Sequence, residues 1–134
     1  MIVVDSSAII AIFAKEPDAD VYSQRIAADG HPIISVPSVL ECSIVIRSAR
    51  ELSPAQSEEW LDEFLLSAGT TIENLGLDDL RLARAAHVRF GKGTGHPAQL
   101  NFGDCFSYAL AKRLNLPLLY KGNDFAKTDI VAAL

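Results

Sequence analysis

The sequence predicts an α/β fold, with a central parallel sheet and helices packed on both of its faces. Three observations carry that expectation. Ile2–Val4, Ile33–Val36, Thr70–Ile72 and Leu118–Tyr120 are short apolar or β-branched runs bounded by turn chemistry, as strands buried in a parallel sheet tend to be. Longer stretches with helical spacing separate them. The length, 134 residues with 49% hydrophobic and 22% charged, suits one compact domain over residues 1–134 with a real core and leaves too little chain for two.

In chain order, the first strand is followed by helical patterns at Ser6–Phe13 and Ala19–Ala28. The second strand leads into Val39–Arg50, with Pro37 and Ser38 suited to a helix start because proline lacks an amide hydrogen and serine can cap. Ala55–Leu66 precedes the third strand, and Leu77–Phe90 follows it. A glycine-rich segment, Gly91-Lys92-Gly93-Thr94-Gly95-His96-Pro97, then opens into a last helix at Phe102–Leu114 and the fourth strand. Right-handed crossovers between such strands build a parallel sheet covered on two sides. There is no internal repeat and no low-complexity segment.

Composition excludes several classes of function. Twelve basic against seventeen acidic residues give a net charge of −5, so no broad basic surface advertises nucleic acid or an anionic membrane. Met1-Ile2-Val3-Val4-Asp5 has no basic leader and breaks its apolar run at Asp5, and no segment reaches about 18 apolar residues, so the expected location is the cytoplasm with no membrane contact. Cys42 and Cys105 stand apart, and His31, His87 and His96 have no zinc spacing, so the thiols read as reduced and partly buried. The glycine-rich loop is no phosphate cradle. Positions 86 and 87, where a Walker A loop needs its first glycine, are Ala86 and His87, and His96 breaks a dinucleotide fingerprint.

The chemistry lies in the acids. Asp5 directly follows the first strand, and Asp124 follows the fourth through Lys121-Gly122-Asn123. In open α/β sheets the ligand crevice lies beyond the carboxyl ends of the strands, so both acids point to one edge. Glu41 and Asp104 sit in the first turns of helices whose starts face that edge. Each alone has an ordinary explanation: Asp5 as a helix cap, Asp104 and Asp124 as first-turn acids favoured by the helix dipole, Glu41 as a surface residue. Their neighbours argue otherwise. Ser38-Val39-Leu40-Glu41-Cys42-Ser43-Ile44 and Phe102-Gly103-Asp104-Cys105-Phe106 are apolar settings, where crowded carboxylates either take up protons or bind a cation. An all-oxygen donor set suits Mg²⁺ or Mn²⁺, and two divalent ions would cancel four ionised carboxylates, letting a phosphodiester approach an acidic protein. Metal-assisted phosphoryl hydrolysis follows as the expected reaction, with Asp5, Glu41, Asp104 and Asp124 as metal ligands and catalytic residues.

The most specific stretches are Val4-Asp5-Ser6-Ser7-Ala8, Leu40-Glu41, Gly91-Lys92-Gly93 with His96-Pro97-Ala98, Leu100-Asn101-Phe102-Gly103-Asp104 and Leu119-Tyr120-Lys121-Gly122-Asn123-Asp124-Phe125. With them the chain resembles the PIN-domain ribonucleases, specifically the VapC toxins of type II toxin–antitoxin pairs, from Met1 to about Asp129. The family's first three acids map onto Asp5, Glu41 and Asp104 and its more variable fourth onto Asp124, with Asp129 a lower-ranked neighbour. Its hydroxyl after the first acid is matched by Ser6 or Ser7. The resemblance implies a three-layer α/β/α sandwich, Mg²⁺-dependent cleavage of transfer RNA or other structured RNA, a homodimer, and inhibition by a cognate VapB-like antitoxin.

On the substrate side the candidates are Ser6, Ser7, Lys92 and Asn123. Arg81, Arg84, Arg89, Lys15, Lys121 and Lys127 are further groups that could hold RNA phosphates, although a solvated helix face is the commoner meaning of such arginines. Trp60, Phe64 and Leu65 read as core, or as an apolar surface for a dimer or an antitoxin. The rival readings are a Mg²⁺-binding signalling receiver, a non-catalytic interaction domain and a small phosphatase. The receiver pattern wants an adjacent acidic pair after the first strand, where this chain has Asp5-Ser6-Ser7, and a phospho-acceptor Asp after a central strand, where it has Glu73-Asn74.

Overall fold

A computed structural model describes all residues, 1–134. The elements run β1 (Ile2–Val4), α1 (Ser6–Phe13), α2 (Ala19–Asp29), β2 (Pro32–Ser35), α3 (Val36–Ser48), α4 (Pro54–Ser67), β3 (Thr71–Glu73), α5 (Leu77–Phe90), α6 (Phe102–Leu114) and β4 (Leu118–Leu119), ending with a single 3₁₀ turn at Phe125–Lys127. All four strands join one parallel sheet in the order β3-β2-β1-β4.

Strand alternation divides the core into two layers, because successive side chains point to opposite faces of a sheet. Ile2 and Val4 of β1, Ile34 of β2 and Leu119 of β4 face one side, where they meet Ala8 and Ile9 of α1, Tyr22 and Ile26 of α2, Cys42 and Ile46 of α3, and Leu61 and Leu65 of α4. Val3, Ile33 and Leu118 face the other, against Ala83, Ala86 and Phe90 of α5 and Tyr108 to Ala111 of α6. Val3 pairs with Ile33 on one flank and Leu118 on the other. Each fully buried Ile or Leu contributes about 1.5–3 kcal/mol relative to exposure, so this register is held by the burial of both faces. The result is the expected three-layer α/β/α sandwich. No helix is long and apolar enough to cross a membrane.

Several boundaries shift by one to three residues from expectation, and those at β2–α3, β3 and β4 bear on the sheet. Helix α3 starts at Val36, not Val39, and the second strand stops at Ser35. Ser35 Oγ accepts the Ser38 amide at 3.1 Å, so Ser35 is the cap and Pro37 already lies in the first turn. The third strand shifts by one residue and lies at the sheet edge with Thr71 and Ile72 exposed, so it is not the buried strand its β-branched sequence predicts. The fourth ends at Leu119, one residue short of expectation, and Leu118 pairs outward with the C-terminal tail: its amide donates to Val131 O and its carbonyl accepts from the Ala133 amide, both at 2.9 Å. That tail covers an edge that would otherwise stand open.

Candidate active site

The chain runs from β1 to β2 to β3 in one direction and places β4 on the opposite flank of β1, so the order reverses between β1 and β4. A reversal of this kind opens a crevice at the carboxyl ends of the strands. Asp5 stands in it. Its amide continues the ladder by donating to Leu119 O at 2.9 Å, after which its side chain caps α1, Oδ2 accepting the Ser7 amide at 3.0 Å. The other oxygen, Oδ1, accepts the Ser107 hydroxyl at 2.6 Å. Asp5 is 2% exposed, and both oxygens have donors, so the carboxylate is held in one orientation.

Glu41 enters from the second turn of α3 and accepts a hydrogen bond from the Ser6 hydroxyl. It lies directly against Gly103, where a side chain would collide with it. Asp104 occupies the first turn of α6, with Oδ2 accepting the Asn101 amide at 2.8 Å. Burial pushes the Asp104 carboxyl up, the Asn101 amide pulls it back, and the charges of Asp5, Asp124 and Glu41 push it up further, to about 7. Asp124, half-buried just ahead of the 3₁₀ turn, therefore acts on the same carboxyl as the other two acids.

The four carboxylates share one electrostatic field without closing on a point: no three His, Cys, Asp or Glu side chains form a ready-made metal cage. Glu41 accepts from the Ser6 hydroxyl and Asp104 from the Asn101 amide, so each carboxylate has a donor of its own. The donor set fits a hard divalent ion. It is all oxygen, and both cysteines are buried and held as thiols, with burial pushing the Cys42 thiol up ahead of the charges of Asp5 and Glu41.

The other candidates scatter. The Ser7 hydroxyl accepts the Lys121 amide at 3.0 Å and ties α1 to the turn after β4. Lys121 Nζ is held by Glu16 and, at 2.9 Å, by Asp18, so this lysine is an internal clasp rather than a free phosphate ligand. Lys92 and Asn123 are exposed. The Lys92 amide donates to Leu100 O at 2.8 Å and closes the base of the glycine-rich loop. Arg81 pairs with Asp78 at 2.9 Å on the surface of α5. Asp129 looks away from the cluster: it accepts the Tyr108 hydroxyl at 2.6 Å and pairs with Lys112 at 2.9 Å. Burial would raise its carboxyl, but those two donors outweigh it and hold it below its ordinary value. Trp60 and Phe64 pack partly buried with Phe13, while Leu65 is core.

Sequence reasoning missed the serines behind Asp5. Ser35, Ser38 and Ser107 are all buried, and only the last carried a readable signal, its position three residues after Asp104 on an otherwise apolar helix face.

A parallel sandwich with acids converging on its switch point defines a nuclease-like α/β domain, and the comparisons agree. The PIN domain family profile matches residues 2–131. Ribonuclease VapC28 of Mycobacterium tuberculosis is 48% identical over 132 residues, covering 98% of this chain and 97% of its own. Ribonuclease VapC of Mycolicibacterium smegmatis is 45% identical over 130 residues, 97% of this chain and 98% of its own. Among solved structures, M. tuberculosis VapC20, described as a sarcin–ricin loop cleaving toxin, superposes with a TM-score of 0.78 at 17% identity, covering 98% of this chain and 97% of that one. The chain belongs to the PIN-domain family. Within it, the chain is a ribonuclease of the VapC type, and PIN-domain ribonucleases generally use a divalent metal. The receiver reading is set aside by the same matches.

Proposed function

We propose that this ribonuclease hydrolyses phosphodiesters of structured RNA with Mg²⁺ or Mn²⁺ held among Asp5, Glu41, Asp104 and Asp124. The observation that carries the reading is the gathering of four carboxylates beyond the strand ends, near enough that burial and the charges of the other three push the Asp104 carboxyl up to about 7. A group in that state gains most from nearby positive charge. When bound, the ion supplies charge for the phosphoryl oxygens and activates water for attack. The chain's own residues do the rest. Ser107 and the Ser7 amide hold the Asp5 carboxylate in one orientation. Ser6 keeps Glu41 turned toward Gly103 and the start of α6. Asp104 gives up its proton as the site is loaded. Exposed Lys92 and Asn123 are the groups we assign to the RNA backbone, where positive and hydrogen-bonding groups set register on phosphates.

Transfer RNA or a structured ribosomal loop is the proposed substrate class; VapC20, which shares the fold, is described as cleaving the sarcin–ricin loop. A VapB-like antitoxin is the proposed partner, in keeping with the description of the structurally similar VapC20 as a toxin, and the cytoplasm the proposed location. A homodimer is favoured by the surface beside the site. Leu40 and Ile44 of α3 and Phe102 of α6 are 59%, 51% and 80% exposed and line a groove of about 500 Å³ that also reaches Glu41, an apolar surface that a second copy could cover.

The test joins purified protein to cells. Purified chain should cut RNA with Mg²⁺ or Mn²⁺ and stop with EDTA. Expression alone should arrest a bacterial host, and co-expression with the small open reading frame expected beside its gene should rescue growth. Metal-independent cleavage would sink the metal assignment. Harmless expression of an active, soluble form would sink the toxin assignment.

A further inference from the structure

We propose that Ser107 is a positioning residue for the reaction: its hydroxyl, oriented by a buried chain of two further serines, sets the Asp5 carboxylate in the pose that accepts the metal. The inference rests on the proposed metal role of Asp5. Ser107 lies mid-helix in α6, 1% exposed among Tyr108, Ala109, Leu110 and Ala111, where a hydroxyl is costly unless bonded. A helical serine usually bonds back to a carbonyl of its own preceding turn. This one instead donates at 2.6 Å to Asp5, 102 positions away in sequence.

The direction of the remaining protons follows from counting them, since each serine hydroxyl donates once. The Ser107 proton goes to Asp5, so in the Ser38–Ser107 contact at 3.3 Å it is Ser38 that donates. Ser35 in turn donates to Ser38 at 2.9 Å, and Ser35 Oγ is itself fixed by the Ser38 amide. All four residues are buried, at 1%, 3%, 1% and 2% exposed for Ser35, Ser38, Ser107 and Asp5. The chain of donors therefore runs one way, from the cap of α3 through α6 to the end of β1. It links the helix that carries Glu41 and the helix that carries Asp104 to the carboxylate of Asp5. With Oδ1 taken by Ser107 and Oδ2 by the Ser7 amide, the carboxylate plane cannot rotate, and the lone pairs left over face one fixed direction.

The experiment measures Mn²⁺ binding to RNA-free protein by calorimetry, together with cleavage kinetics, for wild type, Ser107→Ala, Ser107→Thr, Ser38→Ala and Asp5→Asn. Ser107→Ala should bind Mn²⁺ about 10- to 100-fold more weakly and lose kcat with KM for RNA unchanged, the usual scale for removing a partner that orients a ligand. Ser107→Thr should restore both, and Ser38→Ala should fall between wild type and Ser107→Ala. Wild-type Mn²⁺ affinity in Ser107→Ala, with Asp5→Asn defective, overturns the positioning role alone. Wild-type affinity in Asp5→Asn overturns the metal reading beneath it. If Ser107→Ala fails to fold, Ser38→Ala decides, because it leaves the Asp5 bond in place and removes only its direction: wild-type affinity there overturns the relay.

Discussion

Glu41 and Gly103 are in contact across the α3–α6 junction: a Cβ placed on Gly103 would collide with Glu41 Oε2. The clash would be with the end of a long side chain, not with backbone, so the fold can absorb it while the carboxylate cannot stay. Gly103→Ala should therefore keep its thermal stability to within about 1 kcal/mol and gain slightly in helix propensity, yet lose about 10- to 100-fold in kcat as Glu41 leaves Ser6. Parallel melting and cleavage assays check it. Unchanged kcat would mean that the position of Glu41 does not matter.

Asp5→Asn and Asp104→Asn should each remove RNA cleavage by several orders of magnitude while leaving circular dichroism intact. A misplaced cation loses charge stabilisation worth several kcal/mol of the barrier. Residual cleavage by the double variant at wild-type rate would show that another site does the chemistry.

The melting temperature of metal-free protein should depend on Asp104. Its folded carboxyl titrates near 7, above the ordinary value of 3.8, so the folded state holds a proton that the unfolded chain releases. Stability from this group is present below about pH 4 and lost as pH rises toward 7. After discounting for partial solvent screening, about 1 kcal/mol is at stake, roughly 3–6 °C at this chain length. Asp104→Asn should flatten that part of the Tm–pH curve, measured with EDTA throughout.

Millimolar Mg²⁺ should raise the melting temperature of the wild-type protein at pH 7.5, because a ligand that prefers the native state stabilises it by mass action. The Asp5→Asn/Asp104→Asn protein should respond far less. Equal shifts in the two proteins would place the cation somewhere else.

Lys121 clasps Glu16 and Asp18 with side chains about a third exposed, so the ion pairs themselves add little to stability, roughly 0–1 kcal/mol. Its position three residues before Asp124 gives the clasp another consequence. Lys121→Met should change Tm by only a few degrees and lower kcat by severalfold, through a looser turn beneath Asp124. A kcat that stays at the wild-type value with a lowered Tm would make the clasp purely structural.

Local pattern carried much of this molecule. Apolar runs at Ile2–Val4 and Ile33–Ile34 with helical stretches between them specify a parallel sheet, because only β-α-β crossovers bury such strands on both faces. The placement of Asp5 and Asp124 was legible for the same reason, since residues that end parallel strands share one edge. What the one-dimensional pattern left undecided depended on contacts between distant segments. Thr71 and Ile72 look like buried strand residues, yet they lie at an edge, since strand order is set by which helices find room on each face. Lys121 looks like a phosphate ligand until Glu16 and Asp18, more than 100 positions away, neutralise it. Sequence also leaves Ser6 and Ser7 equivalent. Folding separates them, sending the Ser6 hydroxyl to Glu41 and the Ser7 hydroxyl to the Lys121 amide. Residue types and their spacing thus determined the fold class and the four acids, because burial and strand-end geometry are local consequences of sequence. The partner of each polar group was decided only by tertiary structure, because a hydrogen bond requires a few ångströms between atoms that the chain itself holds as many as 114 residues apart.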